Sequence, residues 1–600
     1  MGWQLFMADS EKKTGWKQFE LKKRSKRIKK HARRAEGATI RHTRKFLVNR
    51  WDNIRDVRLH IIFWLGGVAL LIAIVGLQVT WFQRSYIATA AVSGGTYAEA
   101  VKGPIETLNP LYATSPAELA ASHLLFSSLY VNDSTGHLKG DIATTMTNEN
   151  NKVFTVKLRR DAKWHDGQPI TAKDVVYTVA VMKIASARAV MSASWQGVEA
   201  RQINDDTVQF TLPASYAAFP QALTFAIIPQ HILNSLDPAT LRESSFSSVP
   251  VGSGPFKLRL LQTLSQSTGR KIVHMDSNAN YYDGKPRLDR LQLHVYNDDD
   301  SVTRALRTGE VTAASDISSD VAKTVNTKRY DIITKPINSG VYALFNLSQP
   351  GVKDAAVRRA LQIGTDTSVI RQQLYKKPEQ LYLPFVHGQV PAADAIPAPV
   401  YNSVAANKLL SDNGWVLKDG VRTKGTEKLR LRVVTRKNND YETALKAIIS
   451  QWQDLGVQVD SQVFDPTDAS QSFTEQVLQQ KNYDVLLDEL VIGGDPDVFA
   501  YWHSRGLLNF SNYGNQTSDD SLASARSRSD PSLREVKYTT FAKQWLSDAP
   551  AIGLYQSNFI YVDSKTTESI KPTEKIISSD EHYAGVRYWT SNQGTVYKTP

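Results

Sequence analysis

The chain has 600 residues, of which 42% are hydrophobic and 22% charged, and this composition excludes a disordered or collagen-like protein. It contains no cysteine, which excludes disulfides, thiolate metal sites, cysteine nucleophiles and a lipid-modified cysteine anchor. Residues 1–60 carry +12 of the net charge of +13, so the remaining chain is nearly neutral and a globally basic nucleic-acid-binding domain is not expected.

Residues 1–60 are interpreted as a basic cytoplasmic tail. Their charge is concentrated in KKRSKRIKKHARR, at Lys22–Arg34. The simplest role for such a segment is a solvated tail that sets membrane topology. A second role is attraction to anionic lipid, worth about 1 kcal/mol per basic residue near the surface. Neither role requires nucleic acid, which we do not expect as a partner.

Ile61–Phe82, IIFWLGGVALLIAIVGLQVTWF, is a run of 22 residues without a charge. At about 1.5 Å per residue, a helix of this length reaches about 33 Å, enough for a hydrocarbon core of about 30 Å. Aromatic residues lie near both ends, and Arg residues cluster before the run rather than after it. We therefore predict a single transmembrane helix, with the N-terminus in the cytoplasm and residues 84–600 outside.

The alternative to a permanent anchor is a cleaved signal peptide, because Ala88–Ala90 offers small residues of the kind that precede a cleavage site. A charged leader of 60 residues and an apolar run of 22 both exceed the usual dimensions of such a peptide. We therefore favour an uncleaved signal anchor. Residues 83–95, which contain ATAAVSGG, are interpreted as a linker to the outer region.

From Thr96 onward, strand and helix patterns alternate. Phe154, Val156 and Leu158 alternate with polar residues, as in a half-buried strand. A helix that ends at Gly456 carries apolar residues at helical spacing, at Leu445, Ile448, Ile449, Trp452 and Leu455. About 500 residues of this pattern exceed one compact core, so we predict two lobes with a ligand-binding cleft between them.

The sequence lacks the motifs of common enzymes. It has no GxxxxGK[ST] phosphate loop, no HExxH zinc helix and no GxSxG nucleophile elbow. His165 and Asp166, in WHDG, are better explained by a packed turn than by acid–base or metal chemistry. Asn297–Asp300 is better explained by an acidic helix N-terminus than by a calcium loop. We therefore expect no catalytic residues, no metal site and no cofactor.

Eight segments resemble, in order, the extracellular solute-binding proteins of family 5, which deliver dipeptides, oligopeptides or nickel to ABC importers. The most diagnostic is FTVKLRRDAKWHDGQPITAKDVVYT, at Phe154–Thr178, which combines a strand, a charged turn and a capped helix. The others are TLNPLY at Thr107–Tyr112, VGSGPFKL at Val251–Leu258, NANYYDGKPRLDRLQLHVYND at Asn278–Asp298, ALRTGEV at Ala305–Val311, FNLSQPGVKDAAVRRAL at Phe345–Leu361, AANKLLSDNGW at Ala405–Trp415 and GGDPDVF at Gly493–Phe499. The resemblance spans roughly residues 96–565.

This resemblance implies an α/β protein with the two-lobed, hinged fold of the large type II class of periplasmic binding proteins. The first lobe would be discontinuous, comprising residues 96–339 and 556–600, and the second would comprise residues 340–555. The implied function is capture of peptide or peptide-like solutes by hinge closure and their presentation to the permease subunits of an ABC importer. Such proteins transform nothing, so the resemblance implies no enzymatic activity.

The resemblance also places ligand-binding residues in both lobes. Peptide binders of the family lay the ligand backbone against segments that correspond here to Thr114 and Ser115 in the first lobe and Asp488–Ile492 in the second. Further side chains expected to line the cleft near the hinge and the DPD turn are Tyr342, Asn346, Tyr501 and Trp502. For each aromatic residue, packing in the core is the alternative.

Recognition of a ligand's α-amine is in question. Peptide binders of the family place an Asp three residues before an acidic-Pro pair to hold that amine. Here the pair is Asp495-Pro496, and Ile492 stands three residues before it, where an apolar side chain cannot pair with an ammonium. Asp488 or Asp497 is then the candidate substitute, although a turn and helix-cap pair explains Asp495 and Asp497 better than direct ligand contact.

Two other functions remain open at this point. An outward-facing hydrolase with scattered acidic residues would depend on groups such as Asp166 or Asp495. A sensor or scaffold that keeps the fold but has lost its ligand would explain the apolar Ile492. The sequence does not distinguish a peptide from a nickel chelate, although the scarcity of clustered His argues against direct metal ligation.

Overall fold

The computed structural model describes residues 51–187, 189, 191–465 and 472–597. Its α-helices are α1 (Trp51–Tyr86), α2 (Pro116–Leu125), α3 (Ala172–Lys183), α4 (Ser192–Trp195), α5 (Gln230–Leu233), α6 (Asp299–Thr308), α7 (Ser319–Thr324), α8 (Pro350–Lys353), α9 (Ala355–Ile363), α10 (Thr367–Gln373), α11 (Pro391–Asp394), α12 (Ser403–Asp412), α13 (Asn439–Asp454), α14 (Phe499–Trp502), α15 (Gln516–Ser527) and α16 (Pro531–Asp548).

The strands are β1 (Ile87–Val92), β2 (Thr96–Lys102), β3 (Tyr130–Asn132), β4 (Leu138–Gly140), β5 (Ala143–Glu149), β6 (Val153–Leu158), β7 (Glu199–Asn204), β8 (Thr207–Thr211), β9 (Phe256–Ser265), β10 (Arg270–Ser277), β11 (Arg290–Tyr296), β12 (Ala313–Ala314), β13 (Tyr330–Phe345), β14 (Val416–Lys418), β15 (Val421–Lys424), β16 (Glu427–Lys428), β17 (Arg430–Arg436), β18 (Gln458–Phe464), β19 (Val485–Val491), β20 (Ala551–Ser564) and β21 (Asn592–Tyr597). Between them lie 3₁₀ segments at Pro110–Tyr112, Ala185–Ala187, Phe219–Thr224, Pro238–Glu243, Ser245–Ser247 and Ser579–Tyr588, and a π-helical segment at Thr474–Gln479.

Helix α1 contains the predicted membrane span. Its part Arg58–Phe82 has 25 residues and contains an 18-residue window with a mean hydropathy of 2.4, so it is long and apolar enough to cross a membrane. The basic tail predicted for residues 1–60 falls outside the described residues except for the first part of α1. The segment 83–95, interpreted above as a linker, continues α1 to Tyr86 and then forms β1.

A ten-stranded mixed sheet organises residues 91–594, in the order β18-β17-β19-β13-β20-β12-β2-β11-β10-β9. At one end of this order β17 pairs in parallel with β18 and β19, and at the other β2 pairs in parallel with β11 and β12. Parallel pairs need helical crossovers, which helices such as α13, between β17 and β18, supply.

The two central strands connect the two ends of the sheet. β13 pairs with β20 from Tyr330↔Ser564 to Leu344↔Ala551, with register shifts between Pro336 and Gly340 and between Val341 and Tyr342. β20 also pairs with β12, and the second half of β13 pairs with β19. These two long strands are therefore the covalent link between the parts of the molecule on either side.

Hydrophobic cores form on both sides of this link. On one side they draw on residues between Tyr97 and Ile337, and again between Phe559 and Trp589. On the other side two clusters lie wholly between Val341 and Tyr555. The described chain therefore has two lobes, each with its own core; the lobe bounds 96–339, 556–600 and 340–555 stay a prediction.

The local patterns read from the sequence are confirmed where they are strongest. In β6 the side chains of Phe154, Val156 and Leu158 are buried in the hydrophobic core of the first lobe. In α13 the buried face includes Leu445, Ile448 and Trp452. Because each pattern depends only on neighbours along the chain, it could be recognised without tertiary information. The acidic stretch before α6 also behaves as expected, since the carboxylate at its N-cap accepts a hydrogen bond from the Ser301 amide at 2.7 Å.

The WHDG segment is a packed turn. Trp164 is buried, and the amide of His165 donates to the Gly252 carbonyl at 2.8 Å. Burial lowers the pKa of His165 to about 4. Gly167 has a φ of +94°, which explains a glycine at that position of the turn.

Asp563 is a buried carboxylate in β20. We expect its ionisation to lower the stability of the first lobe. It accepts hydrogen bonds from Tyr97 Oη at 3.0 Å, from Ser569 Oγ at 2.5 Å and from Thr567 Oγ1. Burial nevertheless raises the pKa of Asp563 from 3.8 to about 6, because desolvation of the charge outweighs these hydrogen bonds.

Asp563→Asn is expected to change the pH dependence of stability. Because the folded chain holds the Asp563 proton to a higher pH than the unfolded chain, this group's contribution is fully present below pH 3.8 and is lost as the pH rises to about 6. Its size is about 3 kcal/mol, from about 1.4 kcal/mol per pKa unit. Denaturant unfolding of both proteins between pH 4 and pH 7 measures it; parallel pH profiles would contradict the assignment.

Candidate ligand site

The candidate site lies where the two lobes meet, at the carboxyl ends of parallel strands. In the first lobe β2 and β11 end at Lys102 and Tyr296, and in the second β17 and β18 end at Arg436 and Phe464. Ligands of open α/β sheets bind in the crevice outside the carboxyl ends of such strands. The segments that follow these strands are therefore the places to look for ligand-binding groups.

Hydrogen bonds join the lobes beside these strand ends. Asn439 Nδ2 donates to Asp299 Oδ2 at 3.1 Å, and Ser319 Oγ donates to Asp440 Oδ2 at 2.9 Å. Asn439 and Asp440 begin α13 directly after β17, whereas Asp299 begins α6 after β11. The two lobes thus touch through the loops and helix starts that follow their parallel strands.

A second set of contacts joins the lobes at another place. The Ala217 amide donates to the Arg526 carbonyl at 2.8 Å, and Asn151 Nδ2 donates to Ser529 Oγ at 2.6 Å. The Arg526 guanidinium lies 4.1 Å from the centre of the Tyr216 ring, close enough for a cation–π interaction. With two separate sets of contacts, the lobes are closed on each other in this structure.

Thr114 and Ser115 cap the N-terminus of α2. Glu118 Oε2 accepts hydrogen bonds from the amides of Thr114 at 2.9 Å and Ser115 at 3.1 Å, and the Glu118 amide donates to Ser115 Oγ at 3.1 Å. This reciprocal arrangement is a capping box. The amides of Thr114 and Ser115 are therefore engaged within their own lobe, and their contact with a ligand stays a prediction.

Asp488 lies in the middle of β19, and Ile492 directly follows that strand. Asp488 is buried and accepts hydrogen bonds from Arg436 Nε at 3.1 Å and Nη2 at 2.6 Å. Ile492 packs in the core of the second lobe, and its amide donates to the Asn338 carbonyl at 2.8 Å. Because Arg436 already neutralises Asp488, this carboxylate is poorly placed to hold a ligand's amine as well.

Asp495 forms a bidentate ion pair with Arg534. Its two oxygens accept hydrogen bonds from Nη1 at 2.7 Å and Nη2 at 2.6 Å, and both side chains are less than one fifth exposed. Arg534 Nη2 also donates to Tyr538 Oη at 3.1 Å within α16, and the ion pair itself ties the DPD turn to this helix. The position of Asp495 agrees with a structural turn residue.

Asp497 lies at the second interlobe contact. Its carboxylate is 3.1 Å from Arg526 Nε, and the side chain is 7% exposed although it faces Tyr216 of the other lobe. Burial raises the pKa of Asp497, while the charge of Arg526 opposes that rise. Asp497 thus belongs to a charged cluster that closes the lobes, and a direct ligand contact from it stays a prediction.

The predicted cleft-lining residues Tyr342, Asn346 and Trp502 are each at most 1% exposed. Tyr342 Oη donates to the Leu383 carbonyl at 2.9 Å, and its ring meets those of Trp502 and Trp545 edge-on. Asn346 Nδ2 donates to the Tyr483 carbonyl at 3.1 Å. All three therefore pack inside the second lobe in this closed arrangement.

The structure brings together acidic groups that the sequence reasoning did not single out. Asp316 of the first lobe and Asp440 and Glu489 of the second lie beside the interlobe contacts at the strand ends, together with Tyr555 of β20. Burial raises the pKa of all three carboxyl groups. One local feature of the sequence could have indicated Glu489. It follows Asp488 in the same strand, and because adjacent strand residues point to opposite faces, the two carboxylates cannot share the same partners.

The fold defines the class of this protein: it has the two-lobed α/β fold of periplasmic binding proteins. Its structure aligns with that of the oligopeptide-binding protein AppA of Bacillus subtilis in complex with a nonapeptide, with a TM-score of 0.72 and 24% identity over 84% of this chain and 99% of the other. The predicted fold class is therefore confirmed.

Sequence comparison gives the family. Residues 137–510 match the family model described as bacterial extracellular solute-binding proteins, family 5 Middle, and the chain belongs to that family. It is 26% identical to the oligopeptide-binding protein AppA of Bacillus subtilis over 483 residues, covering 78% of this chain and 87% of AppA. It is 28% identical to a Brucella ovis protein named as an ABC transporter peptide-binding protein, covering 55% of this chain and 63% of that protein.

Proposed function

We propose that this protein is the membrane-anchored, extracytoplasmic substrate-binding subunit of an ABC importer for peptides or peptide-like solutes. The observation that carries the proposal is the pair of interlobe contact sets, one of which lies at the carboxyl ends of the parallel strands. Each set joins side chains of the two lobes, whose covalent connection in the described part of the chain runs through β13 and β20. A ligand that touches both lobes would favour this closed arrangement, which a permease could then distinguish from the open one.

The peptide class is supported by the relatives. Both sequence relatives named above are peptide-binding proteins by name, and the match to AppA covers most of each chain. In such proteins main-chain hydrogen bonds give affinity for many sequences, and pockets for side chains give preference. We therefore expect a solute with a peptide backbone or a close mimic of one.

Anchoring is proposed through α1. The apolar part Arg58–Phe82 would span the membrane once, and the excess of basic residues before it would keep residues 1–57 in the cytoplasm. The binding lobes would then stand on the outer face beside the permease subunits. The basic segment Lys22–Arg34 would lie near the inner leaflet, where anionic lipid attracts such charge.

Ligand binding by the full-length protein in detergent micelles tests this function. We expect peptides of two to nine residues to raise the temperature of thermal unfolding, because a ligand that binds only the folded state stabilises it by mass action. Sugars and nickel(II)–histidine serve as comparison ligands in the same assay. No shift with any peptide, together with no co-purifying small molecule by native mass spectrometry, would contradict the proposal and favour a ligand-less scaffold.

The hydrolase alternative finds less support. Its two named candidates are already engaged: Asp166 Oδ2 lies 2.8 Å from His231 Nε2, and Asp495 is held by Arg534. The unchanged mass of each bound peptide after incubation, read in the same mass spectra, separates binding from turnover.

A further inference from the structure

Three carboxylates line the contact between the lobes without an ion-pair partner among the described residues: Asp316, Asp440 and Glu489. Asp316 and Glu489 are half-buried, and they lie on opposite lobes. They are close enough that the charge of Asp316 contributes to raising the pKa of Glu489. Removing such charges from water without a cation is costly, so the arrangement calls for a partner of opposite sign.

The local geometry fixes where these groups point. Glu489 of β19 and Tyr555 of β20 are the two cross-strand partners of Val341 in β13, so their side chains lie on the same face of the sheet. On that face Tyr441 Oη donates to Glu489 Oε2 at 3.2 Å. Asp440, the neighbour of Tyr441, reaches the first lobe through Ser319.

The cations nearest to this cluster, Lys102 and Arg436, partly offset the rise in the pKa of its carboxyl groups, but each forms its ion pair with another carboxylate. Lys102 Nζ lies 2.7 Å from Asp299, and Arg436 Nη2 lies 2.6 Å from Asp488. His582 Nε2 is 3.0 Å from Glu99. Among these described residues, the charges of Lys102 and Arg436 are shared between the two carboxylates they pair with, Asp299 and Asp488, and the three of the cluster.

Tyr555 supplies independent evidence for a missing partner. Its side chain is 4% exposed, and its hydroxyl has no hydrogen-bond partner among the described residues. The charges of Asp440 and Glu489 contribute to raising the pKa of this hydroxyl, which places it at the same cluster. A buried hydroxyl without a partner is uncommon in folded proteins, because leaving it unsatisfied costs free energy.

We propose that Asp316, Asp440, Glu489 and the Tyr555 hydroxyl form a subsite for a positively charged nitrogen of the solute, an ammonium or guanidinium group. This inference rests on the proposed function and narrows its substrate class to solutes that carry such a group. The subsite takes over the charge recognition that Ile492 cannot provide and that Asp488 and Asp497, each paired with an Arg, are not free to provide.

The subsite also couples recognition to closure. Asp316 belongs to the first lobe, and Asp440 and Glu489 belong to the second, so a cation between them interacts favourably with both lobes only when these are closed. Without it, the like charges oppose closure. A cationic group therefore binds the closed state more tightly than the open state, and this difference in affinity is what shifts the equilibrium towards closure.

The test uses the full-length protein in detergent and three matched mixtures of random tripeptides to pentapeptides. The first has free N-termini but no Lys or Arg, the second is N-acetylated without Lys or Arg, and the third is N-acetylated with one Lys. Native mass spectrometry reports which peptides are retained. We expect the first or third mixture to be retained at least about tenfold better than the second, as charge-assisted hydrogen bonds require. Which of the two is retained tells an α-ammonium from a side-chain cation.

Two variants separate the subsite from a general effect. Glu489→Gln and Asp316→Asn, each near-isosteric, should reduce the tenfold preference to about threefold or less while the neutral mixture binds as before. Glu427→Gln, at an exposed position in β16, is the control and should keep the preference. Circular dichroism and thermal unfolding establish that each variant is folded.

The possible outcomes distinguish this inference from the function on which it rests. Equal retention of the charged and neutral mixtures by the unmodified protein would overturn the subsite and leave peptide binding in place. A preference that survives in both variants would overturn it as well. Retention of none of the three mixtures would overturn the proposed function and the subsite together.

Discussion

Arg534→Met is expected to lower the free energy of unfolding by about 3 kcal/mol. The substitution keeps the aliphatic stem of the side chain but leaves Asp495 as an unpaired carboxylate, with both partners less than one fifth exposed in the native protein. Breaking one side of such a buried pair costs about 3–5 kcal/mol, because the remaining charge has lost its counterion but not its desolvation. The nearby charge of Asp497 adds to this cost, since the two carboxylates already interact.

Two further variants identify the cause of the loss. Arg430→Met breaks an ion pair with Asp460 whose side chains are 61% and 44% exposed, and it should cost less than about 1 kcal/mol. The double variant Arg534→Met with Asp495→Asn should recover most of the stability, because it removes the stranded charge. Urea unfolding measures all of them; an equal loss for the exposed and the buried pair would refute the electrostatic explanation.

Trp502→Ala is expected to cost about 3–5 kcal/mol of stability, as the loss of a large aromatic side chain from a packed core does. Trp502 is 1% exposed, and its ring centre lies 5.3 Å from that of Trp545 and 6.2 Å from that of Tyr342, both in edge-on contact. Its indole nitrogen has no hydrogen-bond partner in the described part of the chain. Trp502→Phe should therefore cost much less, since it keeps an aromatic ring and removes an unsatisfied donor.

The same pair of variants decides between a core and a ligand-contacting role. If Trp502 acts through packing, the loss of stability appears without any ligand, by denaturant unfolding. Tyr401→Ala, at a residue that is 47% exposed, serves as the control and should change stability by less than about 0.5 kcal/mol. Unchanged stability of Trp502→Ala, with a large loss of peptide affinity, would instead place this residue at the ligand.

The sequence predicted those features that depend on near neighbours or on ordered blocks of residues. The strand at Phe154–Leu158, the buried face of α13 and the two-lobed fold belong to this group. The capping role of Ser115 was equally accessible, because Glu118 stands three residues later in the pattern of a capping box. The resemblance to peptide binders, in contrast, predicted a ligand contact for the same residue.

The chemistry of the cleft could not be predicted in this way. Whether Asp488 is free depends on Arg436, 52 residues away, and Asp495 finds its partner 39 residues away in α16. The charge of Asp316 reaches Glu489 only because the sheet brings the two lobes together. Pairings of this kind are decided by tertiary structure, so a single sequence identifies the charged residues but not which of them remain unpaired.

The path of the chain through β13 and β20 has a consequence for biosynthesis. In the sheet β20 lies between β12 and β13 and pairs with both, so Ala313 pairs with Asp563, which lies 250 positions further along the sequence. During synthesis from the N-terminus, the sheet of the first lobe therefore lacks β20 until the whole second lobe has been synthesised. Such non-local pairing slows folding and exposes strand edges meanwhile. The second lobe can thus fold first. The strand that follows it, β20, then fills the place between β12 and β13 and completes the sheet of the first lobe.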